Sequence, residues 1–318
     1  MRRKWLVTGA KLAMSIGLIA VLAANIDLDR AAERVSQLAW WAIVAGLALL
    51  GLQVAMLGMR WRLVSTRVGA PLPAARAVGL MFVGQLFSQA LPSTVGGDAV
   101  RILVLRRAGL PLKNVIHGVL IDRVTGVTGM FVLVLIAQPL LYEMIADRTA
   151  YWGLFLANLC GLAGVGAFLA IDRLPARWHL WRPLAALVAF SADGRRVFFD
   201  SRRTPPVMFL AVAVQLINVV IVFLLGRGLG LDIALVACFA LVPPVLMLAT
   251  VPISLAGWGL REGAMVAALG FVGVAAADAV VLSVIYGLGL VVAALPGALF
   301  WLGDWRKSMA DADMPDDG

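Results

Sequence analysis

Leu91-Pro92-Ser93-Thr94-Val95-Gly96-Gly97-Asp98-Ala99-Val100-Arg101 interrupts an apolar stretch with a proline, two hydroxyl side chains, two glycines and a pair of opposite charges. Proline breaks the helix pattern before it, and the glycines leave backbone N–H groups uncovered where the next helix begins. In the other half of the chain, Val251-Pro252-Ile253-Ser254-Leu255-Ala256-Gly257-Trp258-Gly259-Leu260-Arg261-Glu262 follows the same order of Pro, Ser, two glycines and Arg. Inside hydrocarbon, freed backbone groups and charges survive only where protein or a water-filled cavity shelters them. The two breaks are therefore the candidate sites.

Composition makes hydrocarbon the medium. Of 318 residues, 62% are hydrophobic and 14% charged, with a mean hydropathy of +0.95, more apolar surface than a soluble core could hide. The expected fold is all-α, a polytopic transmembrane helix bundle. Its 32 glycines and 14 prolines fit, because both residues are more frequent in transmembrane helices than in soluble ones. The net charge of +9 is gathered between apolar spans: Arg60, Arg62, Arg67 and Arg76; Arg101, Arg106, Arg107 and Lys113; then Arg173, Arg177, Arg182, Arg195, Arg196, Arg202 and Arg203. That distribution matches cytoplasmic loops under the positive-inside rule. No aromatic-basic platform accompanies it, so no nucleic-acid partner is expected. His117 and His179 have no ligands at metal-site spacing nearby, and Cys160 and Cys238 sit in apolar spans. Neither a metal, a cofactor nor a disulfide framework is expected.

Spans are expected at about residues 5–24, 38–59, 116–141, 151–171, 207–226 and 233–250, with further apolar stretches at about 263–275 and 279–302. Lys11 interrupts the first, which favours an uncleaved anchor with its N-terminus inside over a signal peptide. The stretch at about 77–91 is too short to cross and returns to a basic segment, so a re-entrant hairpin turning at Pro92 to Gly97 is expected. Residues 172–206 alternate Trp178, Leu180, Trp181, Leu184, Leu187, Val188 and Phe190 with arginines. They read as an interfacial amphipathic helix on anionic inner-leaflet lipid, with a plain cytoplasmic loop as the alternative. Six to eight helices and one or two broken segments make a single membrane domain over 1–307, followed by an acidic tail at 308–318 expected to be disordered. Paired interruptions in corresponding positions of two halves point to a transporter's substrate site, against chance likeness of short Pro/Ser/Gly strings.

The charged residues carry the chemistry. Asp98 and Arg101 are three apart and share a helix face. Gly96 and Gly97 open a helix start that favours an anion, to which Arg101 adds a bidentate donor. The alternative is that Asp98 merely caps the helix and pairs with Arg101. Arg261 and Glu262 follow Gly257 and Gly259 in the same way, and neighbours on a helix diverge by about 100°. Cross-half pairs of Arg261 with Asp98, or Glu262 with Arg123, are therefore expected to neutralise the charges. Asp122 and Arg123 begin a span, where Arg123 either joins the site or snorkels to the interface. Trp258 either covers the site or anchors at the interface. Gln85, Ser88, Gln89, Gln215 and Asn218 place polar groups in spans, most simply as glue between helices.

The Pro92 to Arg101 string, the Asp122-Arg123 pair and the string ending at Glu262 together resemble the family named for the transmembrane region of lysylphosphatidylglycerol synthases, also called flippase-like proteins. The likeness runs from about 5 to 305. Where many relatives carry Glu-Arg, this chain has Asp122-Arg123, which keeps the charge pattern. The resemblance implies a lipid-handling domain of the bacterial inner membrane, with both termini cytoplasmic. Its site would comprise Ser93, Gly96, Gly97, Asp98, Arg101, Asp122, Arg123, Ser254, Gly257, Gly259, Arg261 and Glu262, and its substrate a membrane lipid that is anionic or head-group-modified. Fused members carry a separate soluble aminoacyl-transfer domain, for which this chain has no room, so no enzymatic activity is expected. An accessory role, presenting lipid to a partner glycosyltransferase or lipid synthase, is the alternative. No nucleotide-binding P-loop is present, which speaks against ATP-driven transport by this polypeptide alone.

Overall fold

In a computed structural model of the protein, residues 35–90, 96–174, 182–200, 204–250 and 257–302 are described. The expected first span, Ser93, Ser254, residues 175–181 and 201–203 of the 172–206 segment, and the acidic tail lie outside the described residues. Among the described residues, eleven α-helices and no strand occur: α1 (Trp40–Arg67), α2 (Ala74–Ala90), α3 (Gly96–Arg107), α4 (Leu112–Ile136), α5 (Gln138–Met144), α6 (Arg148–Ala170), α7 (Arg182–Phe199), α8 (Thr204–Gly228), α9 (Leu235–Ala249), α10 (Leu260–Gly270) and α11 (Ala276–Ala294). Five of them are long and apolar enough to cross a bilayer: α1, α4, α6 with the 3-10 turn after it, α8, and α11 continued to Leu302.

Four of the remaining helices form two hairpins. α2 and α3, with 17 and 12 residues, are each shorter than the roughly 20 a crossing needs. They lie antiparallel, because Gly97 faces Gly84 and Ser88 while Arg101 reaches back to Met81 and Gly84. A Cβ on Gly97 would collide with the Gly84 carbonyl oxygen, so only glycine permits this approach. The expected hairpin at 77–91 takes this form. α9 and α10, with 15 and 11 residues, make the second pair. Here the expected span at 233–250 is corrected: α9 stops at Ala249 and packs on α10 as half of a hairpin. The residues before it, Leu231 and Ile233, are apolar and buried yet belong to the loop that follows Gly230, at φ +73°. Of the two, Ile233 fell within the expected span.

Lengths and contacts show a repeat. α1 to α4 run 28, 17, 12 and 25 residues; α8 to α11 run 25, 15, 11 and 19. α1 packs most extensively on α8; α1 also packs on α11 as α8 does on α4, and α2 on α11 as α9 does on α4. α1 and α8 are antiparallel, since Gly46 faces Leu225 while Gln53 reaches Val214. The halves are thus inverted. The first hairpin enters from the end where α1 finishes at Arg67, and the second from the opposite end, where α8 finishes at Gly228. Glycines allow the close crossings: a Cβ at Gly58 would come 2.7 Å from Val78 Cα, and one at Gly129 2.7 Å from the Ala211 carbonyl carbon.

α6 and α7 join the halves. Asp147 caps α6 by accepting from the N–H groups of Thr149 (2.8 Å) and Ala150 (3.3 Å). The expected amphipathic segment contains α7, which is tied to the bundle by its polar side chains. Asp193 meets His117 Nδ1 at 2.7 Å, Arg195 pairs with Asp172 at 3.2 Å, and Arg67 donates to the Val197 carbonyl at 3.2 Å. Leu187 and Phe199 remain exposed along it.

Candidate functional site

At the tip of the first hairpin, α3 starts at Gly96 and places Asp98 in its first turn, with Arg101 one turn further on. The Asp98 carboxylate is bridged by two guanidinium groups. Arg101 Nη2 donates to Oδ1, and Arg123 Nε, from α4, donates to Oδ2. Arg101 also lies 4.7 Å from the centre of the Trp61 ring and 3.5 Å from Met81 Sδ, and its Nε is buried without a hydrogen-bond partner. Asp98 and Arg101 are each only 5% exposed, whereas the Arg123 side chain is 45% exposed. Arg123 thus pairs with Asp98 while keeping part of its side chain exposed. Beside this cluster, Arg60 Nε donates to Asp122 Oδ1 at 2.8 Å and Arg60 Nη2 to the Asp122 carbonyl at 3.3 Å. The Arg60 guanidinium sits over Gly126, where a Cβ would come 3.0 Å from Nη2 and press on it.

These groups surround a cavity of about 140 Å³ lined by Leu57, Met81, Gly84, Gln85, Ser88, Gly97, Asp98, Arg101, Asp122 and Arg123. One wall is charged; Gln85 and Ser88 bring polar groups from α2, and Leu57 with Met81 supplies the apolar part. Burying such charge is costly unless it is paired and hydrogen-bonded, and here each carboxylate has an arginine.

The second hairpin builds a different cluster. Gly257 and Gly259 adopt φ of +81° and +84°, a left-handed conformation that explains the glycine pair. The turn delivers Arg261 and Glu262 to the start of α10, where Glu262 accepts from the Gly259 N–H and so covers a free donor of the helix start. Arg261 Nη2 donates to Glu262 Oε1 at 2.7 Å; Ser283 Oγ on α11 accepts from Arg261 Nε at 3.2 Å and donates to Glu262 Oε1 at 3.2 Å. Arg261 is framed by Trp258 at 4.9 Å and Tyr286 at 5.7 Å, and its guanidinium lies over Gly287. Trp258 therefore covers the arginine, the first of the two readings of its place in the motif.

The expected cross-half pairs are corrected. Asp98 goes to Arg101 and Arg123, and Glu262 goes to Arg261, its immediate neighbour. The 100° between adjacent helix positions is overcome because the long arginine side chain folds back over Gly287, space no other residue there would leave. From Tyr286, beside Arg261, a run of amide hydrogen bonds reaches α1. Tyr286 Oη donates to Asn218 Oδ1 at 2.8 Å, Gln53 Nε2 donates to the same oxygen at 2.7 Å, and Asn218 Nδ2 donates to Gln215 at 3.2 Å. Gln53 and Arg60 lie two turns apart on α1, about 10 Å along its axis. Arg60 itself is corrected from a loop position to the buried interior of α1, which continues as helix to Arg67. Ser283, Tyr286, Trp61 and Gln53 were not among the expected site residues. Gln53, Ser283 and Tyr286, polar residues in apolar spans, carried a visible signal; Trp61 carried none. Among the described residues, no His/Cys/Asp/Glu group could hold a metal ion.

Opposed helical hairpins whose tips bury ion pairs, set among membrane-spanning helices, define a multi-pass membrane protein with an inverted repeat around a polar centre. The family model of the lysylphosphatidylglycerol synthase transmembrane region matches residues 9–297, and the chain belongs to this family. Among curated proteins none matches the chain.

Proposed function

We propose that the protein moves a lipid with an anionic or modified head group between the leaflets of the bacterial inner membrane. The observation that carries this reading is the cavity at the first hairpin, where Arg101 and Arg123 converge on Asp98 among helices otherwise suited to hydrocarbon. Intramembrane charges of this kind mark pathways for polar groups, and the start of α3 adds backbone donors at Gly96 and Gly97 suited to a phosphate. The apolar spans offer the acyl or isoprenoid chains a medium to remain in while the head group crosses. Hairpins entering from opposite ends supply the geometry for exposing one polar centre to each side in turn. In this reading the arginine-rich end, with α7 along it, faces the cytoplasm and its anionic lipid.

The test is leaflet accessibility of labelled phospholipids and polyprenyl phosphates in proteoliposomes. Wild-type protein is expected to equilibrate at least one anionic lipid across the bilayer, and Arg101→Gln to lose at least about tenfold in rate, since hydrogen bonds to a charged group contribute about 1.5–3 kcal/mol. Folded wild-type protein that moves none of them would instead support an accessory role, presenting lipid to a partner enzyme.

A further inference from the structure

Asp98 occupies the position a substrate's charge would take. Its two carboxylate oxygens are divided between guanidinium groups from different helices, Arg101 on α3 and Arg123 on α4, and all three residues line the cavity. A phosphate ester presents two oxygens to two arginines in the same way. Asp98 leaves one donor of the pair unused: Arg101 Nε is buried without an acceptor, an arrangement that costs free energy while it stays unmet. A carboxylate has only two oxygens, whereas a phosphate diester has two non-bridging oxygens that share one negative charge and two ester oxygens besides. Gln85 and Ser88, on the facing wall, add hydrogen-bonding groups for the remainder of a head group.

We propose that Asp98 is a built-in competitor for the ligand's anion, and that the group it stands in for is a phosphate ester. This rests on the reading of the cavity as the head-group site. When the ester enters, it takes over Arg101 and Arg123 from Asp98; when it leaves, the carboxylate returns. The arginines are therefore never left bare in a low-dielectric site, and the ligand gains only the difference between two anions. Binding is kept weak enough for release, as passage through a membrane requires. Asp98 thereby sets the affinity of the site, a role opposite in sign to that of a residue that merely orients Arg101.

The experiment compares wild type, Asp98→Asn, Asp98→Ser and Arg101→Gln, each the full chain in neutral detergent, titrated calorimetrically with short-chain phosphatidylglycerol, glycerol phosphate and inorganic phosphate. Asp98→Asn is expected to bind short-chain phosphatidylglycerol about tenfold more tightly than wild type, and Arg101→Gln to lose binding. Asp98→Ser repeats the test with a smaller side chain should the asparagine variant not fold. A gain confined to the lipid assigns the site to a lipid head group, and a gain for all three probes assigns it to phosphate whatever its source; both support the exchange. Equal or weaker binding in folded Asp98 variants would overturn it and leave Asp98 as a support for the arginines. The two readings fail separately. A gain of affinity in a protein that moves no lipid refutes transport alone, and Arg101-dependent transport without that gain refutes the exchange alone.

Discussion

Arg60 and Asp122 join α1 to α4 with side chains only 4% and 5% exposed, so neither charge has water to fall back on. Removing one partner leaves the other buried and unpaired, at a cost of about 3–5 kcal/mol, whereas replacing both by apolar residues of similar size is often neutral. Arg60→Met and Asp122→Leu are each expected to lower thermal stability sharply, and the double substitution to recover most of the loss, as read by unfolding in detergent. A double variant no better than the singles would show that the pair interacts mainly with other groups. Sequence marked Asp122 and placed Arg60 in a basic loop, because a cluster of arginines at the end of an apolar run looks the same whether the helix stops or continues. What separates the two cases is Gly126, which leaves room for the Arg60 guanidinium, and that fit depends on how two helices cross rather than on either sequence alone.

Hairpins are the elements that distinguish this fold from a simple bundle. The first was legible because a short apolar run ended in proline and returned to basic residues. The second was hidden by Ile233, an apolar residue of a buried loop that fell within the expected span, and by Pro243 and Pro244, which α9 tolerates inside the helix where neighbours surround it. The likeness of the two motifs was visible, but their equivalence rests on the lengths of the flanking helices and their matching contacts. The structure places the hairpin bases at opposite ends of the bundle. In a background without Cys160 and Cys238, single cysteines at Lys113 and Asp232 are expected to react with an impermeant maleimide from opposite faces of the membrane. Reaction of both from the same face would contradict the inverted arrangement.

For the molecule as a whole, the two halves bring unequal centres together. The first hairpin carries a cavity and an anion-like carboxylate between two arginines; the second carries a closed Arg261–Glu262 pair, braced by Ser283 and linked through Tyr286 and Asn218 to Gln53 on α1. The membrane class and both motifs could be read from composition and from Pro, Gly and Arg in order. Which charges pair could not, because partners such as Arg123 and Asp98 come from separate helices and their meeting is decided by glycine-mediated packing. If a lipid head group passes through the first cavity, a plug there blocks its passage. Ser88 lines that cavity, so Ser88→Cys, again without Cys160 and Cys238, permits it to be filled with a small thiosulfonate reagent in proteoliposomes. Complete modification is expected to stop translocation, and anionic lipid to slow the modification; undiminished translocation by the fully modified protein would rule out passage through this cavity.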